Sequence, residues 1–106
     1  MKKHHFEIIK ESAGITEYRH KLNKLTVLLL EKKSAPVVTF MVTYMVGSRN
    51  EAIGYTGSTH LLEHLMFKGS NRFNKNNGKA IWNVLQDVGA IINATTWFDR
   101  TNYFEL

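Results

Sequence analysis

Five consecutive residues, His60-Leu61-Leu62-Glu63-His64, constrain this chain more than any other segment. A helix turns about 100° per residue, so side chains at i and i+4 lie one turn apart on the same face. His60 and His64 stand in that relation. Glu63 falls within roughly 60° of His60 on that face. Leu61, Leu62, Leu65 and Met66 fall on the opposite arc, which predicts a helix with one side packed into a core and a chemical side left open. Two neutral imidazoles so spaced can hold a divalent metal, and a carboxylate beside them can act on water at that metal. His60 and His64 are therefore candidate metal ligands, and Glu63 is the candidate general base.

The flanks suit such a helix. Gly54-Tyr55-Thr56-Gly57-Ser58 leads into it, and Lys68-Gly69 supplies a last-turn cation and a stop, so the helix is predicted over Thr59 to Phe67. No Gly-Lys-Ser/Thr follows the glycines, which argues against a phosphate cradle. Leu25 to Glu31 reads as a strand. Val37 to Val46 reads as a second strand, so apolar that a central position covered on both faces is predicted. Ala80, Ile81, Val84, Leu85 and Val88 form one stripe and predict a second helix over Gly78 to Val88. Ile91 to Thr96 and Thr101 to Leu106 read as strands around a turn at Trp97-Phe98-Asp99-Arg100. Residues 4–20 read as an irregular arm with at most a short strand. These elements predict an α+β two-layer sandwich. With 106 residues there is room for one domain or part of one, and the last strand reads as interrupted, exposing an apolar edge.

There are no cysteines, so any metal site must use His and carboxylates, which suits zinc or another divalent transition metal. The net charge of +5 is uneven: residues 1–33 hold eight Lys/Arg against four Glu, and residues 34–106 hold six against five acids. Scattered basic residues without interleaved aromatics read as solvated surface, not as a nucleic-acid interface. The longest apolar run, Val27-Leu28-Leu29-Leu30, is too short to cross a membrane. Met1-Lys2-Lys3-His4-His5 resembles the charged start of a signal peptide, but charge breaks the stretch that follows, so the chain is predicted to stay in the cytoplasm.

Four segments carry a family resemblance. Ser34-Ala35-Pro36-Val37-Val38, Val46-Gly47-Ser48-Arg49-Asn50-Glu51, the stretch from His60 to Gly69, and the stretch from Asn93 to Tyr103 together resemble the N-terminal part of the pitrilysin/insulinase family of zinc metallopeptidases. The H-x-x-E-H order is the family's inverted zinc motif. The resemblance runs from about Leu22 to the last residue, leaving about 1–21 as the arm. It implies a mitochondrial-processing-peptidase-like metallohydrolase fold, with zinc on His60 and His64 and Glu63 as general base. It further implies that Asn93 and Ala94 contact a peptide substrate lying along a sheet edge. The family's third zinc ligand, a glutamate, lies farther downstream than the 42 residues after His64. Asp87, Asp99 and Glu105 do not match it. The resemblance thus implies a missing downstream half or a partner subunit, and a fragment inactive alone. The other reading is a non-catalytic interaction module of the same descent.

Other residues have rival roles. His4, His5 and His20 have no spacing that ties them to the motif, which favours surface over ligation. Arg49 and Glu51 read equally as an ion pair bracing the motif loop or as ordinary surface charges. Trp97 and Tyr103 read as packing aromatics before cleft residues. Asp99 and Arg100 read as turn formers. Asn93 reads equally as a substrate contact or a strand-end hydrogen-bonding group.

Overall fold

The computed structural model describes residues 5–106. The chain forms two compact units, residues 1–36 and 37–106. In the first, β1 (Phe6–Ser12), β2 (Ile15–His20) and β3 (Thr26–Leu30) pair antiparallel in sequence order. Ala13 and Gly14 join β1 to β2 with φ of 52° and 80°. Positive φ at both positions gives a two-residue turn the twist that paired strands need. The strand content corrects the reading of residues 4–20 as an irregular arm; His4 lies outside the described residues. The charges that broke the apolar pattern are cross-strand partners, Glu7 facing Arg19 and Lys10 facing Glu17. Opposite charges directly across a ladder stabilise it, an effect invisible in one strand's sequence.

The second unit holds β4 (Phe40–Tyr44), α1 (Ser58–Met66), α2 (Ile81–Gln86), β5 (Ile92–Thr96) and β6 (Thr101–Glu105). Its strands form an antiparallel sheet in the order β4-β6-β5, and α1 packs on β5. This is the expected α+β class. Two placements within it are corrected. β4, expected in the middle and covered on both faces, lies at an edge with all five residues exposed. β6, expected to leave an open edge, is the central strand, pairing Tyr103 with Val42 on one side and Ala94 on the other. Apolarity reports how strongly a run avoids water; it does not report its rank within a sheet.

α2 is shorter than the stripe suggested, because an asparagine knot precedes it. Asn74 Oδ1 accepts the Asn77 amide and Asn77 Oδ1 accepts the Asn74 amide, a reciprocal cap that closes a 3₁₀ turn at Lys75–Asn77. Gly78 then takes φ of 70°, and helical geometry resumes only at Ile81. Among the described residues Ala80 and Ile92 are the buried apolar ones. Around them an aromatic group ties the layers together: Phe67 stacks on Trp82 at 5.2 Å and lies 5.9 Å from Tyr103, which meets Tyr44 edge-on at 6.1 Å. Among the described residues no helix is long and apolar enough to cross a membrane.

The loop leaving β4 is pinned to the β5–β6 turn. Ser48 donates to the Trp97 carbonyl at 3.0 Å and Arg49 to the Phe98 carbonyl at 2.9 Å. Gly47 makes this approach feasible, since a Cβ there would overlap the backbone of Trp97 and Phe98. Gly47→Ala is predicted to destabilise the chain by about 2 kcal/mol, the scale of an overpacked site. A lowered urea midpoint at unchanged m-value checks this.

Candidate metal and peptide site

α1 begins at Ser58, after Gly57 turns the chain with φ of 88°. Glycine offers no side chain to cap the exposed amides. Glu51 supplies the cap from six residues upstream, its carboxylate accepting the Gly57 amide at 2.8 Å and the Thr59 amide at 2.9 Å. Those amides hold its pKa below the usual 4.5, Thr59 contributing most and Gly57 next. Glu51 thus braces the motif helix through backbone amides. Of the two readings of Arg49 and Glu51, the ion pair is not made: the one ion pair among the described residues joins Arg19 and Glu17 at 3.9 Å.

His60 and His64 both lie within α1 and stand side by side, ring centroids 4.7 Å apart and planes tilted by 38°. Both are exposed. Glu63 is not: it is 7 % exposed, and with Thr59 at 9 % it forms the buried face of the helix. The Thr96 hydroxyl, on β5, donates to Glu63 Oε2. The prediction of a dry side made by Leu61, Leu62, Leu65 and Met66 is corrected, because each is more than half exposed. Helical spacing sorts residues onto faces, but only the neighbouring sheet determines which face turns inward.

Strand β5 carries the remaining candidates. Asn93 is exposed and its Oδ1 accepts the Ala94 amide at 2.8 Å; Ala94 is half-buried. Beside α1 lies a concavity of about 320 Å³. Its walls include His60, Thr96, Trp97 and Phe98. Trp97 and Phe98 are 60 % and 63 % exposed and meet edge-on, so Trp97 is a wall of this hollow and not core. Tyr103 does pack, and burial pushes its phenol pKa up, with the Glu63 carboxylate and then Tyr44 adding to the effect. Thr96 and the capping role of Glu51 were missed in the sequence. Neither is marked by local spacing, since Thr96 meets Glu63 across 33 residues.

The other described histidines are engaged elsewhere. His5 stacks on His20 at 6.2 Å, and His20 Nδ1 accepts the Asn23 amide at 3.3 Å. Among the described residues no group of three or more His, Asp or Glu side chains is arranged to hold a metal ion.

Comparison with known proteins resolves the ancestry of this arrangement. The sequence model described as Insulinase (Peptidase family M16) matches residues 26–105. This chain belongs to the insulinase family. The family-matched stretch contains His60, Glu63, His64, Asn93 and Ala94. The zinc protease PqqE of Helicobacter pylori is 41 % identical over 75 residues, spanning 71 % of this chain and 16 % of that protein. The probable mitochondrial-processing peptidase subunit beta of Arabidopsis thaliana is 34 % identical over 82 residues, 77 % of this chain and 15 % of that one. The crystal structure of a protease from Helicobacter pylori superposes with a TM-score of 0.68 at 31 % identity, covering 94 % of this chain and 21 % of the other. This insulinase-family chain therefore spans about a sixth to a fifth of the length of the relatives it matches.

The Glu51 cap gives a prediction with a definite sign. Its carboxyl is held below 4.5, so its stabilising contribution is complete above that value and is lost as pH falls through the lower folded value. Amide exchange at Gly57 and Thr59 is predicted to accelerate, relative to other α1 amides, only below pH 4.5. Glu51→Ala should accelerate the same two amides above pH 4.5 and abolish the further acceleration below it.

Proposed function

We propose that this chain supplies the zinc-holding helix and the peptide-reading strand of a zinc-dependent endopeptidase. The pair of imidazoles 4.7 Å apart on α1, with a carboxylate one residue before the second, carries the reading. That donor set fits zinc, His60 and His64 serving as two of the three protein ligands a catalytic site uses. Bound zinc would acidify a water molecule and polarise the scissile carbonyl. Glu63 takes the proton of the attacking water and later delivers it to the leaving amine. Its burial against β5 limits the orientations of its carboxylate. Asn93 and Ala94, on the sheet's edge strand, meet the substrate backbone as it adds a strand. The third ligand comes from beyond these 106 residues, in the same polypeptide or a partner subunit. The names of two relatives, a zinc protease and a peptidase subunit, support the zinc-peptidase class of this reading.

Zinc titration of the chain tests the ligands. Weak binding is predicted, and His60→Ala or His64→Ala should each cost more than the roughly tenfold that follows loss of an outer-shell partner. Zinc binding by both variants at the level of the parent chain would remove the site. The base is tested in the Helicobacter pylori zinc protease with residues 26–105 of this chain in place of its matched segment. Glu63→Gln is predicted to lower kcat there by about 10²–10⁴-fold with zinc retained. Loss of zinc would make Glu63 a ligand, and retained turnover would place the base elsewhere.

A further inference from the structure

Glu63 is almost fully buried, yet its two oxygens have different surroundings. Oε2 accepts the Thr96 hydroxyl. Among the described residues no other hydrogen bond reaches the carboxylate, and no buried side-chain oxygen is left unpartnered, so Oε1 retains contact with solvent. Thr96 also forms part of the wall of the concavity beside His60. Its hydroxyl could have turned to other acceptors, as the neighbouring Thr95 hydroxyl does in donating to Asn102 Oδ1 at 2.7 Å.

We propose that Thr96 is a positioning residue for the peptidase reaction: it holds one oxygen of Glu63 so that the other is presented to the attacking water. The inference rests on Glu63 being the base. A carboxylate that rotates freely about its last bond spreads its two oxygens over many directions. A charge-assisted hydrogen bond to one oxygen selects among them. Thr96 also stands two residues beyond Ala94 on β5. The strand proposed to read the peptide backbone therefore also carries the hydroxyl that aims the base. A substrate that adds to this strand would be registered against the proton acceptor by the same backbone.

The test uses the Helicobacter pylori graft for activity and the 106-residue chain for the hydrogen bond. Thr96→Val is predicted to lower kcat on a peptide substrate by about tenfold or more, the scale of a hydrogen bond to a charged group, with KM and bound zinc unchanged. Thr96→Ser keeps the hydroxyl and should stay within about threefold of the parent. A purely structural role would follow stability and would not divide the two variants by kcat alone. In the 106-residue chain, Thr96→Val should shift the carboxyl-carbon resonance of Glu63, and Thr96→Ser should leave it near its original position. If Thr96→Val unfolds the chain, Thr96→Ala deletes the same hydroxyl without added bulk. Unchanged kcat, or an unshifted Glu63 resonance, in the hydroxyl-deleted variant would overturn the proposal. If the graft is inactive, the resonance decides. Full turnover in Glu63→Gln would instead remove the base itself, which separates failure of that reading from failure of this one.

Discussion

The second unit depends on how α1 is seated on β5. Two contacts seat it: the Glu51 carboxylate on the amides at its N-terminus, and the Thr96 hydroxyl on the Glu63 carboxylate at its buried face. A helix of nine residues is marginal alone in water and needs tertiary contacts to persist. Here those contacts are polar. The cap satisfies amides that Gly57 cannot serve, and it comes from the loop that Gly47 lets close against Trp97 and Phe98. The seating of the helix, the loop before it and the β5–β6 turn therefore form one connected arrangement.

Turning a carboxylate inward is expensive. A carboxylate taken out of water loses solvation, and here the Thr96 hydroxyl at Oε2 and solvent at Oε1 remain as its partners. Within these 106 residues Leu61, Leu62, Leu65 and Met66 are each more than half exposed. The buried face is instead spent on Thr59 and Glu63, leaving His60 and His64 exposed and adjacent. Glu63 also gives Tyr103 a charged neighbour, which adds to burial in keeping its phenol protonated.

The family match over residues 26–105, against 16 % of the length of the Helicobacter pylori relative, includes these contacts together with His60, Glu63 and His64. β5 then has two proposed tasks. Its Asn93-Ala94 pair is proposed for the peptide backbone, and its Thr96 for the base. Because strand residues advance by a fixed rise, these two tasks keep a constant spacing whatever the rest of the protein does.

Much of this was legible in the residues. The i, i+4 spacing of His60 and His64 makes their adjacency a property of any helix, and the helix edges differ from expectation by one residue at each end. The strands at Ile92–Thr96 and Thr101–Glu105 and the turn between them follow from alternation and turn chemistry, both local. Strand order was not legible, because β4 and β6 compete for the centre of the sheet through backbone hydrogen bonds that every residue can make. The ladder hidden in residues 6–20 depends on pairs such as Glu7 with Arg19, which only the folded register brings together. The motif's spacing thus determined which side chains share a face and what metal chemistry they suit. Tertiary structure alone decided that Glu63 turns inward and meets Thr96, because burial depends on which surface a helix rests against, and that surface is built by residues distant in sequence.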